Sequence, residues 1–574
     1  MDASIVIISL PAIFRGIGLD PLAAGNIGYL LWMILGYLLV SAVLVVVLGR
    51  LGDMFGRVRI YNLGFLIFAC ASVALSLDPF RAGAGALWLI LWRIVQAFGG
   101  SMLTANSAAI LTDAFPARQR GMALGINQMT ALAGQFLGLL AGGLLAAVDW
   151  RAVFWVSVPV SITGTVWSYL SLRETASGRR GRVDWLGNLT FACGAGILLA
   201  GITYGIQPYG GSATGWGNPW VLTGLSGGVF LLLVFCLVET RPRTLGFARA
   251  AGTRAVEPMF RLSLFRVRAF AAGNLAVLLT AIARGGLQFM LIIWLQGIWL
   301  PLRGYDFADT PLWAGIFMLP LTLGFLIAGP VSGYLSDRFG ARLFATAGLV
   351  LVAGSFLGLL ALPVNFDYAT FAALLLLNGL GQGMFSAPNT SSIMGSVPAE
   401  YRGVASGMRS TFQNSGTALS IGVFFSLMVS GLASSLPAAL SGGLQAHGVP
   451  AVSAEQAASL PPVSTLFATF LGNNPVGHLL GSSGVLDQLT AAQRATLTGH
   501  TFFPQLVSGP FHHGLTVVFG VAAVMALVAA LASALRGRHE PRDGRLPEHG
   551  PAADSRPERP AGDGPAARAD HPLR

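Results

Sequence analysis

The chain has 574 residues, of which 54% are hydrophobic and only 10% charged, whereas soluble domains carry about 25% charged residues. A soluble enzyme cannot cover its surface with so few charges, so the composition excludes that class. All 35 basic residues are arginine and the net charge is +11, but the arginines lie in short loops between apolar runs and form no continuous basic surface for nucleic acid. The composition predicts a polytopic membrane protein that has the lipid bilayer, and no nucleic acid, as its partner.

Apolar runs recur along the whole chain and predict fourteen membrane-spanning helices, since about 20 apolar residues cross a bilayer. The first run is short, because residues 2–14 reach only about 20 Å as a helix at about 1.5 Å per residue, against roughly 30 Å of hydrocarbon. We therefore expect a natural upstream extension that completes this span. In chain order the predicted spans are residues 3–14, 27–48, 60–77, 86–111, 121–148, 152–172, 185–205, 220–238, 269–295, 313–331, 343–362, 371–394, 403–432 and 515–535.

The distribution of arginine predicts the orientation, because basic loops stay on the cytoplasmic side of a membrane. Alternate loops carry 19 arginines on one side of the predicted spans and five on the other. With an even number of spans, this bias predicts a multi-pass protein of the cell (plasma or inner) membrane with both termini in the cytoplasm. A long segment at about 433–510 falls on the outer side, and its apolar piece at 463–471 predicts a small folded cap or a surface helix. The tail at 536–574 is rich in Pro, Gly, Arg and Asp, a composition typical of disorder.

An internal repeat divides the chain into two halves. The segment GRLGDMFGR at 49–57 returns as GYLSDRFG at 333–340, and an internal repeat in a membrane protein indicates a transporter. The predicted organisation is an N-terminal six-helix half at 1–172, two additional spans and a linker at 173–240, a cytoplasmic basic loop at 241–268, a C-terminal six-helix half at 269–535 that includes the outer segment, and the cytoplasmic tail at 536–574.

Several short motifs are shared with a known transporter family. Residues 49–57 fit the loop signature G-x-L-x-D-x-x-G-R, and LWRIVQAFG at 91–99 is similar to the pattern R-x-x-Q-G, with alanine in place of the glycine. MDASIV at 1–6 and DWRAVF at 149–154 are similar to two further patterns. Together these motifs resemble the major facilitator superfamily, and the fourteen-span arrangement resembles its drug/proton antiporter branch. The fifth span departs from the antiporter pattern G-P-x-x-G-G, because Leu139 stands in place of the proline.

The resemblance implies both a fold and a function. The implied fold is an all-α polytopic membrane protein, with two pseudo-symmetric six-helix bundles plus two extra transmembrane helices. The implied function is secondary active transport by alternating access, here proton-coupled export of hydrophobic or amphipathic small molecules such as drugs or natural products. It further implies a monomer with a small-molecule substrate and protons as partners, no cofactor and no enzyme activity.

Polar side chains within the predicted spans are the candidate site residues, because an ionisable group inside a membrane is costly and usually functional. Arg93 shares a helix face with Gln96, and the resemblance implies that Arg93 couples proton movement with Asp2. Arg284 lies deep in its span and predicts contact with an anionic substrate group or with an acid from another helix. The candidates are Asp2 and Arg93 for proton coupling; Gln96, Gln128, Gln135, Arg284 and Gln288 for the substrate pathway; Gly138, Gly142 and Gly143 for helix packing; and Gly49, Asp53, Gly56, Arg57, Asp337 and Gly340 for gating.

Two other functions stay open at this point. A solute or lipid-precursor carrier without proton antiport is favoured by Leu139 and by the shortage of acids in the spans. A membrane-embedded enzyme or receptor scaffold would use the long outer segment, but Glu455 and Asp487 in that segment show no catalytic spacing with its histidines. ATP-driven pumping by this chain is excluded, because a P-loop needs a lysine and the chain has none. The three cysteines are scattered within spans, a spacing that predicts no metal site.

Overall fold

Long apolar helices make up the described chain. The computed structural model describes residues 2–20, 26–115, 120–174, 185–240, 260–398, 401–472, 474–482 and 484–536. Within these ranges twelve helices are long and apolar enough to cross a membrane. The described residues contain no strand beyond one isolated bridge between Tyr209 and Ser212. The predicted all-α polytopic fold is therefore confirmed.

The N-terminal half consists of six spans, the last of which is divided into two pieces at Val156. Gly56 separates the second and third spans because its φ of 107° lies in a region that favours glycine. The sequence Asp78-Pro79 falls between the third and fourth spans, where proline cannot continue a helix. The helices are α1 (Asp2–Ile17), α2 (Asn26–Phe55), α3 (Arg57–Ser76), α4 (Ala82–Ala114), α5 (Arg120–Val148), α6 (Ala152–Trp155) and α7 (Ser157–Ser171).

Two helices, α8 (Trp185–Gly205) and α9 (Pro219–Thr240), lie between the halves in the sequence. A short 3₁₀ helix, Leu262–Arg266, then leads into α10 (Arg268–Trp294). A π turn at Leu295–Trp299 continues α10 into α11 (Leu300–Leu302). The remaining helices are α12 (Thr310–Phe317), α13 (Leu319–Phe339), α14 (Ala341–Ala361), α15 (Tyr368–Gly395), α16 (Arg402–Ala446), α17 (Ala451–Ala458), α18 (Pro462–Leu471), α19 (Pro475–Ser482), α20 (Val485–Gln488), α21 (Ala491–Thr498) and α22 (Phe502–Ala534).

All fourteen predicted spans fall on helices, although the apolar parts of α1 and α5 are shorter than the other twelve. The predicted outer segment at 433–510 needs correction, because α16 continues to Ala446 and α22 already begins at Phe502. The connection therefore covers only residues 447–501. The extension of α16 has a physical reason, since buried leucines continue along one helix face beyond the predicted end of the span. These leucines are Leu432, Leu436, Leu440 and Leu444.

The predicted apolar piece at 463–471 forms the buried centre of a folded cap and not a surface helix. It lies in α18, which is buried from Val463 to Leu471 and packs against α1, α16, α22 and the π turn. Phe467 stacks on Phe425 of α16 with a centroid distance of 5.2 Å. The cap thus contacts helices of both halves on one face of the molecule, which we call the α18 face.

Close glycine contacts support the pseudo-symmetry of the two halves. A Cβ atom added to Gly99 would lie 2.7 Å from the carbonyl oxygen of Gly64, in the contact between α3 and α4. A Cβ atom added to Gly381 would lie 2.6 Å from the carbonyl oxygen of Gly348, in the contact between α14 and α15. Both pairs allow two helix backbones to approach closely. Corresponding helices of the two halves therefore pack through glycines at corresponding positions.

Candidate functional site

A buried ion pair lies inside the N-terminal half, between α1 and α4. Arg93, which is 2% exposed, donates from Nη1 to Asp2 Oδ2 at 2.5 Å and to Gln96 Oε1 at 2.8 Å. Gln96 donates from Nε2 to Asp2 Oδ1 at 3.0 Å and to the Ser72 hydroxyl at 2.9 Å. The guanidinium also lies over the Tyr37 ring, 4.3 Å from its centroid. The structure thus brings together the two residues predicted for proton coupling, and Gln96, predicted for the substrate pathway, lies beside them.

This network gives both oxygens of the Asp2 carboxylate a hydrogen-bond donor. Both carboxylate oxygens accept a hydrogen bond, and one donor carries a positive charge. Removing one partner from a buried ion pair leaves an uncompensated charge, which costs about 3–5 kcal/mol. The Asp2 carboxylate and the Arg93 guanidinium therefore depend on each other inside the bundle.

A second polar cluster connects the two halves. Arg284 of α10 donates from Nη2 to Gln135 Oε1 of α5 at 2.8 Å. Gln135 donates in turn from Nε2 to Gln288 Oε1 at 2.8 Å. Three of the five predicted substrate-pathway residues therefore meet between α5 and α10. Gln128 lies two turns before Gln135 on α5, and its side chain is outside the described part of the structure.

The two clusters lie at similar depth in the bundle. Helices α1 and α5 run in the same direction, because Gly142 contacts Ile5 while Trp150 contacts Gly16. Asp2 precedes Ile5 by one helical turn and Gln135 precedes Gly142 by two turns. At about 1.5 Å per residue, the Asp2 carboxylate and the Gln135 amide therefore differ by only about 6 Å along the helix axes.

The predicted packing glycines lie where α5 meets its neighbours. A Cβ atom added to Gly142 would lie 2.9 Å from the Ile5 carbonyl oxygen of α1, and one added to Gly143 would lie 2.5 Å from Leu312 Cα of α12. Gly138 is buried on the same helix. Gly143 and Leu312 belong to different halves, so this contact closes the halves together on the α18 face.

The predicted gating residues lie at the opposite face, which we call the Gly56 face. Gly56 and Gly340 both have positive φ, 107° and 90°, and each separates two helices at the corresponding position of its half. Gly49 approaches α4, since a Cβ atom on it would lie 3.4 Å from Ala105 Cβ. Arg57 donates from Nη1 to the carbonyl oxygen of Ala109 at 3.3 Å. The side chains of Asp53 and Asp337 lie outside the described part of the structure.

Glu174, which sequence reasoning did not single out, completes the gating segment of the N-terminal half. Its carboxylate accepts the backbone N–H groups of Arg57 at 3.1 Å, Val58 at 3.1 Å and Arg59 at 3.3 Å. The first N–H groups of a helix have no acceptor within the helix, and the helix dipole also favours a negative charge there. The available signal was a lone acid that directly follows the sixth span on the arginine-rich side.

Within the described ranges, no group of three or more His, Cys, Asp or Glu side chains is placed to hold a metal ion. The polar chemistry of the described interior therefore consists of ion pairs and hydrogen bonds.

Comparison with known proteins identifies the family. Residues 1–193 and 186–421 match the sequence model of the Major Facilitator Superfamily. This chain belongs to that superfamily. It is 28% identical over 557 residues to the tetracenomycin C resistance and export protein of Streptomyces glaucescens, covering 97% of this chain and 92% of that protein.

Two other relatives of this major facilitator protein carry different names, one for multidrug resistance and one for riboflavin transport. The multidrug resistance protein Stp of Mycobacterium tuberculosis (strain CDC 1551 / Oshkosh) is 30% identical over 443 residues, covering 76% of this chain and 74% of that protein. The riboflavin transporter RibZ of Clostridioides difficile (strain 630) is 28% identical over 435 residues, covering 75% and 86%. The predictions of a major facilitator fold and of a multi-pass membrane transporter, rather than an enzyme, are confirmed.

Proposed function

We propose that this protein exports hydrophobic or amphipathic small molecules in exchange for protons. The observation that carries the proposal is the buried pair of Asp2 and Arg93, because a carboxylate that depends on one movable cation is a means of binding and releasing a proton. Support also comes from relatives named for tetracenomycin C resistance and export and for multidrug resistance.

The proposed coupling follows from the electrostatics of this pair. While Arg93 donates to Asp2 at 2.5 Å, the carboxylate stays ionised. When the two halves change access state and Arg93 withdraws, the carboxylate is left in an apolar site, where the protonated form is favoured. Return of Arg93 then releases the proton to the other side. Gln96 forms hydrogen bonds with both groups and holds the two side chains in position.

The remaining candidates are proposed to act around this pair. Gln135, Arg284 and Gln288 line the substrate pathway between the halves, at nearly the depth of Asp2. The segments at 49–57 and 333–340 are proposed to hold the Gly56 face closed in one access state, with Glu174 fixing the start of α3. The close contact of Gly143 with Leu312 closes the α18 face in the other access state.

The coupling is tested with purified protein in vesicles that carry an imposed pH gradient. Efflux is followed for three fluorescent probes with one hydrophobic group: 1-pyrenebutanoate, its neutral amide, and the pyrenebutyl trimethylammonium cation. Asp2→Asn and Arg93→Ala should abolish gradient-driven efflux and leave passive exchange measurable. Arg93→Lys should recover activity only in part, because an ammonium cannot form the two directed bonds of a guanidinium.

The matched control is Asp20→Asn, which makes the same chemical change at an exposed position beyond the other end of α1 and should leave efflux unchanged. The alternative of a carrier without proton antiport predicts that Asp2→Asn is nearly silent and that collapse of the pH gradient has no effect. Full gradient-driven efflux by the Asn variant would eliminate the proposed role of Asp2.

We further propose that the protein acts as a monomer with the Gly56 face and both termini in the cytoplasm, as the arginine bias predicts. Single cysteines at Ser482 and Ser555, in a background without the three native cysteines, test the orientation. An impermeant thiol reagent added to intact cells should label the Ser482→Cys protein and not the Ser555→Cys protein. Equal labelling of the two proteins would overturn the orientation.

A further inference from the structure

Arg284 is a half-buried cation with no acidic partner among the described residues. Among the described residues, no carboxylate lies within the 4.0 Å ion-pair distance of its guanidinium, whereas Arg93 has Asp2 at 2.5 Å. Its hydrogen bond to Gln135 uses a neutral amide oxygen. A guanidinium in a membrane interior without a counter-charge is costly, and such groups mark substrate or ion pathways.

The remaining donors of Arg284 are not sealed from solvent. The Nε atoms of Arg93 and Arg409 are sealed from solvent without a hydrogen-bond partner. The remaining nitrogens of Arg284 have no partner among the described residues either, yet they are not sealed. A guanidinium offers five donors in a planar fork that matches a carboxylate. The described side chains therefore leave most of this fork available to a ligand between α5 and α10.

We infer that Arg284 binds an anionic group of the transported compound, a carboxylate or an ionised phenol or enol. This inference rests on the proposed export function and names its substrate class: amphipathic anions are transported in preference to neutral or cationic compounds. Apart from Asp2, which Arg93 neutralises, the acids of the sequence lie at or beyond the ends of the spanning helices. The described residues around Arg284 thus offer a cation to the ligand and no unpaired carboxylate that would attract a cationic drug.

Binding of the anion also acts on the link between the halves. Gln135 and the ligand compete for the same guanidinium, and a charged acceptor forms a hydrogen bond about twice as strong as a neutral one. Occupation of the site releases Gln135 from Arg284, so that the hydrogen bond from Gln135 to Gln288 is left as the described polar link between α5 and α10. The link between the halves is then weaker, so the anion itself favours the change of access state.

Binding is measured first, without transport. Because the chain has no lysine, Arg284→Lys introduces its only ε-amine, and an N-hydroxysuccinimide ester labels that amine and the N-terminus alone. We expect 1-pyrenebutanoate to protect the introduced amine in purified protein, while the amide and the trimethylammonium probe do not. The N-terminal amine is the internal standard in the mass spectrum. Equal labelling with and without 1-pyrenebutanoate would overturn the inference.

Transport selectivity gives the second measurement. Arg284→Gln should lower the ratio of 1-pyrenebutanoate efflux to amide efflux about 10- to 100-fold, the effect of losing a charged hydrogen bond. Gln135→Glu should have the same selective effect, because its carboxylate occupies Arg284. The matched control is Arg409→Gln, which removes a buried guanidinium of α16 and should not change the ratio of acid to amide efflux.

The two proposals fail in different ways. If Arg284→Gln lowers efflux of all three probes equally, the anion site is refuted while proton-coupled export stands. If no probe responds to the pH gradient but 1-pyrenebutanoate still protects the amine introduced by Arg284→Lys, proton-coupled export is refuted and the anion site stands.

Discussion

Replacing Gly143 with alanine should shift the protein away from the access state in which the α18 face is closed. A Cβ atom at this position would lie 2.5 Å from Leu312 Cα, 2.7 Å from its nitrogen and 2.9 Å from the carbonyl carbon of Pro311. Carbon atoms in contact are normally about 3.5–4.0 Å apart, so the overlap is about 1 Å. All three atoms are backbone atoms of α12 or its first turn, and rotation of a side chain cannot relieve the clash.

The penalty falls on one access state only. Overpacking of this kind costs about 1–3 kcal/mol, and the cost disappears once α5 and α12 separate. Because about 1.4 kcal/mol corresponds to a tenfold change in an equilibrium constant, the ratio of open to closed forms at the α18 face should rise about 5- to 100-fold. The matched control is Gly134→Ala on the same helix, since a Cβ atom there meets no atom within 4 Å.

The shift is measured as a distance between spin labels on the two halves. Cysteines replace Val148 at the end of α5 and Val452 in α17, which are 83% and 69% exposed, in a background without Cys70, Cys193 and Cys236. Electron–electron double resonance should show a longer distance population in Gly143→Ala and the parent distribution in Gly134→Ala. If the folded Gly143→Ala protein keeps the parent distribution, the contact does not close this face.

Three further outcomes follow from the loops and the cap. Gly56→Ala should destabilise the protein more than Gly340→Ala in thermal unfolding. Both residues have positive φ, which costs about 1–3 kcal/mol for other residues. Only at Gly56 would the new Cβ lie 2.6 Å from Glu174 Oε2 and also disturb the helix capping of α3 by Glu174, which contributes about 0.5–2 kcal/mol. Equal losses would contradict the capping role. Burial raises the pKa of Asp78 in the loop before α4, an effect opposed by the Phe80 N–H group and by Arg151. The stability that this group contributes is therefore present in acid and is lost as the pH rises through its raised pKa. Asp78→Asn should then be more stable than the parent protein at neutral pH. If the pH dependence of unfolding is the same in both proteins, this reasoning is refuted. Phe467→Ala should lower the free energy of unfolding by about 3–5 kcal/mol, because the ring is fully buried in the cap; a loss below about 1 kcal/mol would show that α18 is not part of the core.

The sequence by itself determined the helices and the pairing of Asp2 with Arg93. Apolar runs of span length must form helices, because every backbone polar group in a membrane needs an internal partner, and all fourteen predicted runs fall on helices. The pairing of Asp2 with Arg93 was predictable for a related reason. A charge inside an apolar half must find an opposite charge, and that half offered a single acid within its spans.

Only the tertiary structure decided how distant segments meet. Nothing in the local pattern connects Gln135 with Arg284, because their contact depends on how one six-helix half packs against the other. The same holds for Glu174, which caps a helix more than a hundred residues before it, and for α18, whose apolar residues are equally compatible with a surface helix and a buried one. Hydropathy predicts that a segment is removed from water. Which helix packs against it is decided by shape and hydrogen bonding over the whole bundle.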